Sequence, residues 1–140
     1  MKILISDKTA KLPNGARNAK EYPYWEKFFE LAKDCEIKKI DGVLTTQQIK
    51  DLIEWCDVWI SIDTFLPHLA AYYKIEKKGI IIFGQSDPLI FGYNNNINLL
   101  KSRTCLRPEQ FRWWNDVEYK EDVFVSPEVL FENIWQLHKN

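Results

Sequence analysis

Two short runs, VWISI at 58–62 and GIIIF at 79–83, constrain the fold more than any other feature. Each is apolar at nearly every position, whereas a strand with one wet face would alternate apolar and polar residues. A strand of that kind lies in a sheet with helices on both faces. The chain supplies the remaining elements in alternation: KILIS (2–6) and EIKKI (36–40) read as further strands, and INLL (97–100) as a weaker one. Between them, 22–33 carries Tyr24, Trp25, Phe28, Phe29, Leu31 and Ala32 at helical steps, and Thr45 caps a stripe of Ile49, Leu52, Ile53 and Trp55. Leu66, Leu69, Ala70 and Tyr73 define a third helix, expected to end near Lys74, and Ser126 followed by Pro127 starts a last one. Strands and helices alternating in this way predict right-handed crossovers and a parallel sheet. The expected class is α/β, a Rossmann-like parallel sheet with helices on both faces. The 140 residues suffice for one such domain, expected to span 1–140, and are too few for two.

Composition removes several classes of function. With 19 basic and 20 acidic residues the net charge is −1, so no overall field draws the chain to a polynucleotide, and no nucleic-acid partner is expected. No apolar run is long enough to span a bilayer, and the apolar part of MKILISDK is too short for a secretory signal. A cytoplasmic location is the resulting expectation. Cys35, Cys56 and Cys105 are widely spaced with no Cys-x-x-Cys pair, and neither a His/Cys cluster nor an Asp-x-Asp motif occurs. Neither a disulfide, a metal nor a cofactor is therefore expected.

The chemistry concentrates where strands end. In VWISIDTFLPHLAAY the period changes from strand to helix at Asp63-Thr64. In an open parallel sheet such junctions lie at the carboxyl ends of strands, where ligands bind. A helix starting there presents unpaired backbone amides and a partial positive charge, so the amides of Thr64, Phe65 and Leu66 with the Thr64 hydroxyl can hold a phosphate, and His68 lies one turn on. Helix capping by Asp63 and Thr64 is the structural alternative. The loop TAKLPNGARNAK brings Lys11, Arg17 and Lys20 to the end of the first strand, where basic side chains can grip a diphosphate or simply be solvated. GQSDP follows the fourth strand. If the strands are parallel, all three loops converge on one crevice. RPEQFRWW (107–114) mixes arginine with aromatics and is assigned mainly to packing.

SIDTFLPHLAAY followed by GIIIFGQSDPLIFGY resembles the carboxyl-terminal half of glycosyltransferase family 9, the ADP-heptose:lipopolysaccharide heptosyltransferases and their relatives. That family carries an Asp-Ser/Thr-Gly-x-x-His-Leu-Ala pattern and then a Phe-Gly-x-x-Asp-Pro turn. ARNAKEYPYW is similar to the family's basic loop ahead of a helix, and CLRPEQFRWW and VFVSPEVLFENI resemble tails of some members. The resemblance implies the nucleotide-sugar-binding half of a GT-B glycosyltransferase, with an ADP-sugar as the favoured ligand. It places Lys20 on phosphate, and the basic loop read above adds Arg17 to the expected phosphate neutralisation. Asp63, Thr64 and the Phe65 amide fall on the diphosphate and sugar end, His68 in the same site, and Leu44 against the adenine. Phe65 stands at the family's usual glycine, which implies a narrower pocket. The family's catalytic carboxylate belongs to an amino-terminal acceptor domain, which a chain beginning at Met1 is expected to lack. No catalytic residue is assigned for that reason, and a homodimer or separate acceptor-binding subunit is implied as partner. A binding protein without catalysis, or a degenerate domain serving as an interaction module, are the alternatives.

Overall fold

In a computed structural model describing residues 1–140, five strands form one parallel sheet in the order β2-β1-β3-β4-β5. The strands are β1 (Lys2–Ser6), β2 (Glu36–Lys39), β3 (Val58–Ile62), β4 (Gly79–Phe83) and β5 (Ile97–Leu100). The helices are α1 (Trp25–Leu31), α2 (Thr46–Trp55), α3 (Phe65–Tyr72), the single turn α4 (Pro88–Phe91) and α5 (Pro127–Lys139). The α/β Rossmann-like class expected from the apolar runs is the class observed. Strand β3 registers with β1 through Ile60 opposite Ile5 and with β4 through Ile60 opposite Ile80, which places the most apolar runs at the centre. Both of those runs are buried at every position.

Side chains alternate across the sheet and build two cores. Ile3, Ile5, Ile60, Ile62, Ile80 and Ile82 face α1 and α5, meeting Phe28, Leu130 and Ile134. Leu4, Trp59, Ile81 and Phe83 face α2 and α3, meeting Ile49, Ile53, Leu66 and Ala70. Each such fully buried aliphatic or aromatic side chain contributes roughly 1.5–3 kcal/mol relative to exposure. Trp59 explains Gly79: the indole lies over the glycine, where a Cβ would collide with its ring.

Element ends differ from expectation where tertiary contacts intervene. The first helix begins at Trp25 rather than Tyr22, because Tyr22 turns inward and donates its hydroxyl to the Val125 carbonyl (2.9 Å). Desolvation there, with Tyr24 and Glu128 nearby, pushes the Tyr22 phenol well above its ordinary value. Helix α3 stops at Tyr72, and Lys74 takes a left-handed conformation (φ 54°). No helix is long and apolar enough to cross a membrane.

Candidate functional site

The chain runs from β1 to β2 on one side and then crosses to β3 on the other, so the strand order reverses between β1 and β3. Outside the carboxyl ends of those two strands lies the crevice in which open α/β sheets receive ligands. Its floor is the β3–α3 junction. Thr64 is extended (φ −145°, ψ −158°) and its side chain makes no capping hydrogen bond. Pro67 brings no N–H to the first turn, so the Phe65 and Leu66 amides are the donors that the helix start presents. Helix α1 likewise starts without a side-chain cap, whereas the other three helices close their starts with their own side chains. Thr45 and Gln48 form a reciprocal box on α2, Asp87 accepts from the Leu89 amide on α4, and Ser126 accepts from the Val129 amide on α5.

Asp63, which precedes Thr64, is buried at 6% exposure and does not cap the helix either. One of its oxygens lies 3.4 Å from the Lys20 ammonium, a pair whose side chains are 9% and 23% exposed. The loop after β1 delivers Lys20 through local asparagine geometry. Asn18 accepts from the Lys20 amide (3.0 Å) and donates to the Ala10 carbonyl (3.2 Å), while Asn14 accepts from the Ala16 amide (2.9 Å). Gly15 supplies the left-handed residue that this turn requires (φ 76°).

Two further groups complete the crevice. The Lys20 ammonium sits 5.0 Å from the centre of the Trp114 ring, and the Arg107 guanidinium stacks on the same indole at 3.6 Å. Arg107 is buried, and it donates to the carbonyls of Gln110 (2.8 Å), Arg112 (2.7 Å) and Trp113 (3.3 Å). Burial draws its basicity below the ordinary arginine value and Arg112 adds to this, opposed by the charges of Asp116 and Asp63. Beside the junction, over the ends of β1 and β2, lies a cavity of about 310 Å³. Leu44, Phe65, Ile40 and Ile49 form its apolar walls and Ser6 its base. Phe65 remains 44% exposed and walls this cavity without closing it.

The residues singled out from sequence are thus grouped unevenly. Lys20 and Asp63 are paired, Thr64 follows directly, and Leu44 and Phe65 share one cavity. Arg17 lies on the same loop but is engaged by Glu21 (3.1 Å) and by the Tyr119 ring (4.2 Å). The Tyr119 phenol, itself pushed up to about 12 chiefly by burial, donates to the Glu21 carbonyl (2.9 Å). His68 stands on α3 with its Nδ1 2.7 Å from the Tyr93 hydroxyl, in the stretch leading to β5. Asp7, at the carboxyl end of β1, was not singled out. It lies 3.5 Å from the Lys39 ammonium, and its second oxygen is buried without a partner. The RPEQFRWW segment divides its residues: Arg107 and Trp114 pack under the crevice, whereas Phe111 and Trp113 are 83% and 85% exposed.

No protein-family model matches this chain, and no curated protein matches it significantly. Among solved structures, Escherichia coli heptosyltransferase WaaC with ADP is similar, with a TM-score of 0.58 and 14% sequence identity. The match covers 97% of this chain and 44% of that one, so the chain spans less than half the length of the enzyme it resembles. At this identity the likeness is one of architecture: the chain has the α/β, GT-B-like fold found in part of a heptosyltransferase.

Proposed function

We propose that this chain is a glycosyltransferase-family-9-like domain that binds a nucleoside-diphosphate sugar of the ADP-heptose type for glycosyl transfer, with the acceptor side supplied by a second copy or a separate subunit. The observation that carries the reading is the uncapped start of α3 at the strand-order reversal, directly beside a cavity whose apolar walls include Leu44 and Phe65 and whose rim carries Lys8 and Asp41. In this reading the nucleobase enters the cavity, and the diphosphate lies on the Phe65 and Leu66 amides with the Thr64 hydroxyl donating to it. Lys20 exchanges part of its interaction with Asp63 for phosphate. The similar fold of a protein solved with ADP supports the choice of nucleotide.

The chemistry follows from charge. When an acceptor hydroxyl displaces the diphosphate from the anomeric carbon, negative charge grows on the departing phosphate. The helix start and the Lys20 ammonium are fixed where that charge appears. The proton leaving the acceptor needs a base, which belongs to the acceptor side.

Calorimetry with ADP tests the reading. Wild-type protein binds, and Lys20→Ala weakens binding by roughly 10–100-fold, as expected when a hydrogen bond to a charged group worth about 1.5–3 kcal/mol is lost. Absence of ADP binding by the folded wild type overturns it. A transfer assay with ADP-heptose, alone and with candidate acceptor subunits, separates catalysis from binding. A second reading, an interaction module, is favoured by the exposed Leu89, Ile90 and Phe111 around Phe91. It predicts self-association in sedimentation that Phe111→Ala reduces, with no nucleotide bound.

A further inference from the structure

The segment between β5 and α5 returns to the loop after β1 and holds it at two points. Trp114 meets Lys20, whose ammonium lies over the indole at 5.0 Å from its centre, and the Tyr119 ring lies 4.2 Å from the Arg17 guanidinium. The Tyr119 hydroxyl also donates to the Glu21 carbonyl (2.9 Å). The loop that carries the cations is thus gripped by a distant part of the chain.

The construction around Trp114 sets it apart from its neighbours. Phe111 and Trp113 are exposed, whereas Trp114 is partly buried. Arg107 fixes it: the guanidinium donates to the carbonyls of Gln110, Arg112 and Trp113, which lead into Trp114, and stacks on the indole at 3.6 Å. This turn is fastened to the end of β4. The Arg107 amide and the Gln110 side chain donate to the Gln85 carbonyl (3.1 and 2.9 Å), and Gln110 accepts from the Asp87 amide (2.8 Å). The indole is therefore a fixed wall.

Lys20 has two neighbours, and they differ in what they take from it. Asp63, 3.4 Å away, is a carboxylate that accepts N–H donors and so competes with any other anion for them. The Trp114 face attracts the ammonium through its ring quadrupole and uses no lone pair. An incoming phosphate can take over the share of Asp63 while the indole keeps its hold. A lysine stem is flexible and carries a point charge, so something outside it has to set where that charge sits.

We propose that Trp114 is a positioning residue, which holds the Lys20 ammonium at the crevice with its N–H donors available to phosphate. Arg107 acts one step further back, by fixing the indole. On the nucleotide reading above, on which the effect on affinity rests, loss of the indole leaves Lys20 charged but free to swing toward Asp63 or solvent. ADP binding then weakens about 3–10-fold, the contribution of a partly desolvated cation–π pair.

Two measurements test the proposal, the first without any ligand. In NMR with the lysine side chains assigned, the Trp114 ring current shifts the Lys20 ε-methylene protons upfield in the wild type, and Trp114→Leu returns them to their ordinary position. Unshifted protons in the wild type overturn the proposal. In calorimetry with ADP, Trp114→Leu weakens binding about 3–10-fold, Trp114→Phe recovers most of the loss, and Trp113→Ala, at an exposed neighbour, changes nothing. Thermal melts verify that each variant folds. Made in the Lys20→Ala background, Trp114→Leu adds no further loss, because an effect exerted through Lys20 disappears with it. An equal loss in both backgrounds assigns Trp114 a merely structural role and overturns the proposal. Failure of the wild type to bind ADP removes the nucleotide reading, and the Lys20 resonances alone then decide whether Trp114 fixes the ammonium.

Discussion

The loops after two neighbouring strands of this sheet each carry an aspartate ahead of the next helix and treat it in opposite ways. After β4, Asp87 turns onto its own helix, accepting from the Leu89 amide at 2.9 Å, and is gripped by Arg103 through two hydrogen bonds of 3.0 and 2.8 Å. After β3, Asp63 turns away from its helix toward Lys20, and Thr64 makes no capping contact. The first junction is closed by the chain itself. The second helix start has no side-chain cap. Phe124 deepens the contrast, because its ring fills the space beside Gly84 at the β4 end, whereas Phe65 beside the β3 end stays at the rim of a cavity. Local sequence chemistry was equally able to cap both helices. The difference lies in which distant residue, Arg103 or Lys20, reaches each carboxylate.

Three substitutions sharpen or break this contrast. Gly84→Ala would place a Cβ 2.6 Å from the Phe124 ring. Overpacking of that kind costs about 1–3 kcal/mol, read as a lower midpoint in urea at unchanged slope, and a neutral result would mean that the β4 junction is looser than described.

Asp87→Asn comes next, at about 1–2 kcal/mol at pH 7 from the weakened cap and the loss of charge opposite a half-exposed arginine. This effect depends on pH in a defined direction. Hydrogen bonding from Arg103, then from the Leu89 amide, holds the Asp87 carboxyl below its ordinary 3.8 against the cost of burial. The ionised form therefore stabilises the fold fully above the unfolded value, and this contribution is lost as pH falls through the lower folded value. Unfolding curves of wild type and Asp87→Asn should converge between pH 7 and pH 3. Parallel curves would contradict the assignment.

Smallest is Thr64→Ala, expected to change stability by no more than about 0.5 kcal/mol because its hydroxyl caps nothing. A loss of 1 kcal/mol or more would make Thr64 an ordinary cap and close the seat on which the nucleotide reading depends.

Much of the fold was legible because its strands are apolar on both faces. KILIS, VWISI and GIIIF coincide with β1, β3 and β4, and the caps at Thr45 and Ser126 form where the sequence placed them. The boundary of α1 was not legible. Tyr22 and Tyr24 carry a helical period, yet their hydroxyls are drawn to the Val125 and Glu121 carbonyls about a hundred residues away. The short α4 was not legible either, since four residues hold no period. At the candidate site, the junction and Lys20 follow from local rules, while their partners do not. Nothing near Arg107 or Trp114 in the sequence announces that they stack beneath Lys20, because a long connection with no regular element decides that arrangement. Asp7 had a signal that was available, an acidic residue directly after the strand that borders the reversal.

One side chain gives the molecule a mechanical joint. The Lys77 ammonium donates to the carbonyls of Ile53 (2.7 Å), Glu54 (3.2 Å) and Cys56 (2.5 Å), while the Lys77 carbonyl accepts from the Trp59 indole (3.0 Å). A single residue in the turn before β4 therefore fastens the last carbonyls of α2 and the widest side chain of β3. Fraying of α2 and detachment of the 74–78 turn become one event, so their slowest-exchanging amides should report a common opening free energy.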